Sequence, residues 1–183
     1  MANEGLHGVK KSGKNGFIMK VDFHKAFDIV AWEYLEEVMS YIGFGKKWIS
    51  LGDPLLPLLF DIAVEGLTIL FKRALAIEYF KGIDYGNGIY LSHLQYADDA
   101  LVFVPNDYNS LLHVKRILRW FELVSVLRVN FYKSSLVGIN LDEEFTTGLA
   151  STIYCKWNTL PLTYLRLPLG AVLIRQDFQL GNL

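Results

Sequence analysis

The chain contains a single cysteine, Cys155, among 183 residues. An internal disulfide is therefore impossible, and nothing around Cys155 has the spacing of a zinc site. Charge imbalance is also lacking. Lys and Arg number 18 against 19 Asp and Glu, a formal net charge of -1. Taken whole, this charge does not suggest a strong nucleic-acid binder, and any such binding needs a local basic patch. No long apolar run is present either. The richest, over residues 55–71, is broken by Pro57, Asp61 and Glu65, so no membrane span is expected. Residues 1–14 are polar and glycine-containing, with no apolar core of a secretory leader, and an intracellular location is the expectation. Internal repeats and low-complexity segments are absent. What remains is 52% apolar and 20% charged, the composition of one globular domain with at most a small appendage.

The stretch Leu91-Ser-His-Leu-Gln-Tyr-Ala-Asp-Asp-Ala-Leu-Val-Phe-Val104 stands out. Residues 91–96 and 100–104 are rich in β-formers and too short for typical helices, so they predict a hairpin with Asp98 and Asp99 at its tip. The tip lacks the Asn-Gly or Asp-Gly dipeptide that usually makes such a turn. Two adjacent carboxylates repel, and apolar flanks worsen the repulsion. A divalent cation would relieve it, because Mg²⁺ takes one or two carboxylates plus substrate phosphates. A solvated Asp-Asp turn is the plain alternative for the dipeptide by itself.

A third carboxylate lies upstream. Residues 1–16 read as a polar lead-in, and residues 16–23 as a short apolar strand carrying Asp22 near its end. Trp32, Leu35, Val38, Met39 and Ile42 then recur at helical steps, with Gly43 and Gly45 as stop signals. Asp53 before Pro54 is a cap signal, opening an almost wholly apolar helix over 54–73. Residues 82–88, with three glycines, read as a loop. Asn109 or Ser110 is the expected cap of a further amphipathic helix, with Leu111, Val114, Ile117, Leu118, Phe121 and Val124 inward. Residues 127–131 and 136–139 predict a second hairpin turning at 132–134. Residues 159–170, interrupted by Pro161 and Pro168, suit an edge strand or a docked loop. Strand, helix, helix, hairpin, helix, hairpin is the order of an α+β domain: a small antiparallel sheet backed by helices on one face. Three acids at one sheet edge suit two cations clamping an in-line phosphoryl displacement.

Five segments now stand in order: Asp22-Phe-His-Lys-Ala-Phe-Asp28, Gly52-Asp-Pro-Leu-Leu-Pro57, Tyr96-Ala-Asp-Asp99, Asn130-Phe-Tyr-Lys133 and Tyr164-Leu-Arg-Leu-Pro-Leu-Gly170. Together they resemble motifs A to E of reverse transcriptases, most closely those of plant non-LTR (LINE-type) retrotransposons. The resemblance runs from near Ala2 to about Ala171. Tyr-Ala-Asp-Asp by itself is weakly specific, but five motifs in register set the solvated-turn reading aside. The resemblance implies a polymerase palm-like fold over 17–140, followed by an extension over 141–183 that bears a primer-grip-like motif E. It implies that Asp22, Asp98 and Asp99 are catalytic and hold Mg²⁺ or Mn²⁺. Lys133 is the implied general acid toward pyrophosphate; without the motif it would read as surface. Phe27 matches the steric gate against a 2′-hydroxyl, with plain core as the alternative. Gly52, Pro54 and Tyr96 complete the implied nucleotide-binding set. The implied partners are an RNA template, a DNA primer and a deoxynucleoside triphosphate.

The departures bear on activity. The family reads Arg-Gln-Gly-Asp-Pro where this chain has Ser50-Leu51-Gly52-Asp53-Pro54, so a hydrogen-bonding side chain is replaced by Leu51. Trp48 and Asp53 are five positions apart, where the family has a template-contacting segment. The glycines expected near motifs D and E are Val126 and Arg166. The fingers before motif A and the thumb are expected to be missing as well. The expectation is a truncated, internally deleted polymerase fragment whose ancestral chemistry is lost. A catalytically dead remnant or a domesticated interaction module are the alternatives.

Overall fold

The computed structural model describes residues 2–24, 32–41, 43, 56–86, 88–96 and 99–171. At its centre is β1 (Gly16–Val21), whose residues are nearly all buried. It pairs antiparallel with β5 (Asp99–Pro105) on one side and β6 (Ser135–Ile139) on the other, so that Ile18 faces both Phe103 and Val137. Outside β5 lies β4 (His93–Tyr96), and outside β6 lies β7 (Lys156–Asn158), the one parallel neighbour.

Strand alternation sends Phe17, Met19, Val21, Ala100, Val102 and Val104 to one face of this sheet. There they pack beneath α2 (Trp32–Tyr41), α3 (Leu56–Ala76), α4 (Tyr108–Ser125) and α5 (Glu143–Ile153). Ile18, Leu101, Phe103, Val137 and Ile139 point the other way. That second face is covered by α1 (Ala2–Lys11), through Leu6 and Val9, and by Ile83 of β2 (Ile83–Gly86). The hairpin of β8 (Leu162–Tyr164) and β9 (Leu167–Leu169) completes the cover. The architecture is the expected α+β one, a small antiparallel sheet backed by helices, and its other face is buried as well.

The first strand and the helix after it form as the sequence pattern predicts; the hairpin forms too, but with Asp99 inside β5 rather than at the tip and with Leu91 paired to Ile83 instead of extending β4. Tyr96 pairs directly with Asp99 across that hairpin, and Gly43 adopts φ +93° after α2. The opening of the long helix at Asp53 and Pro54 lies outside the described residues. Other expectations differ. Residues 1–16 hold a helix, because Leu6 and Val9, three apart, share one side and find the sheet to cover. Residues 82–88 are not a plain loop: β2 pairs with β3 (Ile89–Leu91). Gly82 is needed there, since a Cβ would collide with the Leu91 carbonyl. The cap of α4 is Asp107, not Asn109 or Ser110. Its carboxylate accepts from the backbone N–H of both, at 3.3 and 2.8 Å, so the expected caps are the helix's second and third residues.

The second predicted hairpin is not formed. Residues 127–131 make one bridge, Phe23 to Val129, and β6 pairs with β1 instead. Leu136, Val137 and Ile139 are buried on both faces, and only the sheet interior offers that. Residues 162–169 pair with themselves rather than joining the main sheet. Helix α5 was not anticipated, although Asp142 caps it by accepting from Glu144 and Phe145 N–H.

Candidate active site

Asp22 follows directly on β1, half-buried at the sheet's end. Its backbone is clamped by the turn over 130–134. The Asp22 carbonyl accepts from Asn130 N–H at 2.7 Å, and the Asp22 N–H donates to Ser134 Oγ at 3.0 Å. Ser134 Oγ in turn donates to the Asn130 carbonyl at 2.8 Å. Two residues further, His24 N–H donates to the Arg128 carbonyl at 2.8 Å. The segment that fails to make a hairpin thus serves to fix the direction of Asp22.

Register places Asp99 next to it. Val21 pairs with Ala100, so one step further along the same ladder sets Asp22 across from Asp99. Alternation puts both on the face opposite the four-helix layer, the same face as Lys20. The Lys20 ammonium reports this directly: it lies 3.6 Å from Asp99 Oδ1 and donates to the Thr163 carbonyl at 2.8 Å. Tyr164 is on this side too. Burial, and then the charge of Asp99, push its phenol above the usual tyrosine range. Lys20 therefore links the acid of the β4–β5 hairpin to the β8–β9 hairpin. Sequence reasoning missed it, and the available signal was one cation inside an otherwise apolar strand.

The remaining expected residues divide. Tyr96 ends β4, is 67% exposed, and lines a cleft of about 370 Å³ with Asn3, Tyr164 and Leu167. Lys133 lies exposed in the 130–134 turn, its N–H bonded to the Asn130 carbonyl and side-chain oxygen at 3.1 Å. The neighbouring Ser134 touches the Asp22 backbone. Asp98, Phe27, Gly52 and Pro54 lie outside the described residues. Among the described residues no group of three His, Cys, Asp or Glu side chains is placed to hold a metal ion. The donors that are described, Asp22 and Asp99, are hard carboxylate oxygens of the type Mg²⁺ takes, with substrate phosphates supplying the rest. His93, at the start of β4, lies on the other face from the acids, since its ladder partner Val102 points to the helix layer. Burial, then the Lys72 charge, pull its imidazole down to about 4, and it stacks on Phe71 at 5.0 Å between ring centroids.

A strand ending in an acid, an acid-bearing hairpin beside it, and a supporting turn make the layout comparable with known families. The family model described as reverse transcriptase (RNA-dependent DNA polymerase) matches residues 2–166. The chain belongs to the reverse transcriptase family. The match spans α1, the whole five-stranded sheet and the first strand and turn of the β8–β9 hairpin, so the elements that missed prediction fall inside this reverse transcriptase domain too. Among the described residues no helix is long and apolar enough to cross a membrane.

Proposed function

We propose that this reverse transcriptase domain is of the non-LTR (LINE-type) class of plants, that its ancestral chemistry was template-directed deoxynucleotide addition, and that this chain no longer performs it. The observation that supports the chemistry is the placement of Asp22 and Asp99 on one face, one register step beyond Val21 and Ala100. In that reaction a primer 3′-oxygen attacks the α-phosphorus of a deoxynucleoside triphosphate, the α–β bridging bond breaks, and pyrophosphate leaves. Asp22, Asp98 and Asp99 would hold the cations, and Mg²⁺ or Mn²⁺ would supply neutralisation of the developing phosphoryl charge. Lys133 gives a proton to the leaving pyrophosphate. In this reading Phe27 would act as the gate against a 2′-hydroxyl, and Gly52, Pro54 and Tyr96 would belong to the nucleotide-binding set.

Loss of activity is supported by the chain between α2 and α3. Trp48 stands five positions before Asp53, and Leu51 replaces a glutamine there. Phosphoryl transfer is mostly positioning and charge neutralisation. Keeping the acids while losing a template contact retains only the second. Good positioning is worth about 7–11 kcal/mol of barrier, enough for its loss to leave no measurable rate.

The test is incorporation of deoxynucleotides on a primed RNA template with Mg²⁺ or Mn²⁺, beside an Asp98→Ala, Asp99→Ala variant. The expected result is no difference between the two. Incorporation that the variant lacks would overturn the loss of activity while supporting the site. The site has its own readout: Mn²⁺ should raise the melting temperature of the natural chain, and Asp22→Asn should abolish the rise.

A further inference from the structure

One flank of the domain gathers cations and aromatic rings, in a chain whose formal net charge is -1. It is built from α4, the 130–134 turn and the start of β7. The Arg119 guanidinium lies over the Phe131 ring, 4.5 Å from its centroid. One turn earlier on α4, the Lys115 ammonium lies 4.6 Å from the centroid of Tyr154 and 3.5 Å from the Thr152 carbonyl. Lys156 N–H donates to the Ser134 carbonyl at 3.0 Å, which seats β7 beside Tyr132 and Lys133. These contacts join the pieces into one continuous surface. Burial, and then the like charge of Arg119, hold the Lys115 ammonium below the usual lysine range.

Local structure explains only part of this collection. Lys115 satisfies the carbonyl end of α5, and Arg119 pairs with Glu122 at 2.6 Å. Glu122 is further occupied by Val129 N–H at 2.8 Å. Arg116, Lys133 and Lys156 are exposed and have no carboxylate partner among the described residues. Tyr132 and Tyr154 are 79% and 68% exposed, far more than packing would leave them. Uncompensated cations alternating with open rings suit a ligand that carries phosphates and flat bases together. Single strands fit, because a duplex keeps its bases stacked inside.

We propose that this flank binds single-stranded nucleic acid outside the carboxylate site, with phosphates on Lys115, Arg116 and Lys156 and bases stacked on Tyr132 and Tyr154. RNA and DNA share this chemistry, and neither metal nor Asp22 nor Asp99 takes part. The proposal does not depend on polymerase activity.

The experiment is fluorescence anisotropy of labelled mixed-sequence RNA and DNA oligonucleotides with the full chain, in EDTA across a salt series. Saturable binding is expected, weakening with salt at a logarithmic slope of about -2 for three phosphate contacts on a single strand. Lys115→Glu with Lys156→Glu should weaken it at least tenfold, as should Tyr132→Ala with Tyr154→Ala, roughly the loss of one stacked base. Lys115→Arg with Lys156→Arg should restore the charge dependence. Circular dichroism and melting temperature confirm that each variant is folded, and Lys156→Glu, at a fully surface position, stands in where the pair does not fold. No binding at low salt, or equal binding by the charge-reversed variants, overturns the proposal. Equal binding of polyglutamate with no effect of the tyrosine variants also overturns it, in favour of an acidic polypeptide.

Discussion

Three residues at two turns occupy backbone conformations their side chains resist. Val126 closes α4 at φ +64°, and Leu165 and Arg166 turn the β8–β9 hairpin at φ +51° and +61°. Left-handed backbone costs a non-glycine residue about 1–2 kcal/mol, and a two-residue hairpin with both φ positive favours Asn-Gly. Val126 and Arg166 are the very positions where the family resemblance expects glycine. Since Val126 is 42% exposed, Val126→Gly removes strain and little packing. Urea melts should show a gain of about 1 kcal/mol for Val126→Gly and again for Arg166→Gly. Val124→Gly, inside the helix, should lose about 1 kcal/mol; a loss at all three sites would mean the strain is absent. Lys20 acts at the same scale. Its partners are only partly buried, so Lys20→Met should cost at most about 1 kcal/mol. It also removes the Lys20 cation beside Asp99, so the Mn²⁺-induced rise in melting temperature should be larger than in the natural chain. An equal rise would separate Lys20 from the metal site.

Among the elements, α4 has the clearest boundary chemistry. The Asp107 carboxylate is held below its ordinary range by the side chain and backbone N–H of Ser110, with Asn109 adding to it. A carboxylate depressed in the folded state contributes stability above its unfolded value, about pH 4, and loses it as pH falls through the folded one. Asp107→Ala should therefore cost about 1 kcal/mol at pH 7. The difference from the natural chain should shrink below about pH 4, as the carboxyl protonates in both states. Denaturant melts at pH 7 and pH 3 measure both numbers, and a pH-independent difference would point to lost packing instead. This element was legible except at its cap and at Val124, expected inward but exposed. Its 3.6-residue apolar period is strong, and the cap was missed because Asp107, Asn109 and Ser110 are all good capping residues. Only the hydrogen bonds choose among them.

At the scale of the whole molecule, the C-terminal third closes over the sheet. Cys155 packs against the main core, and burial pushes its thiol up to about 12. Thiolate is the reactive form. Reaction with a disulfide reagent at pH 8 should then be slow in the folded chain and fast in urea, reporting opening of α5 and β7. Equal rates in both would show that this third is not docked.

Local pattern alone determined the elements whose two-residue or 3.6-residue period is strong: β1, α2, α4 and the β4–β5 hairpin that pairs Tyr96 with Asp99. It also singled out Asp22, Asp98 and Asp99 as candidate acids, and the register brings Asp22 and Asp99 to one face. Tertiary structure decided everything that depends on which surface is left to cover. Residues 127–131 and 136–139 have the composition of a hairpin, yet β6 is buried more completely against β1, and the loop so released clamps the Asp22 backbone. Leu6 and Val9 are too few to make a helix by themselves, and the second face of the sheet makes it worthwhile. Lys20 became part of the site only when the β8–β9 hairpin brought the Thr163 carbonyl to it. Such contacts join residues more than a hundred positions apart, and no local period encodes them.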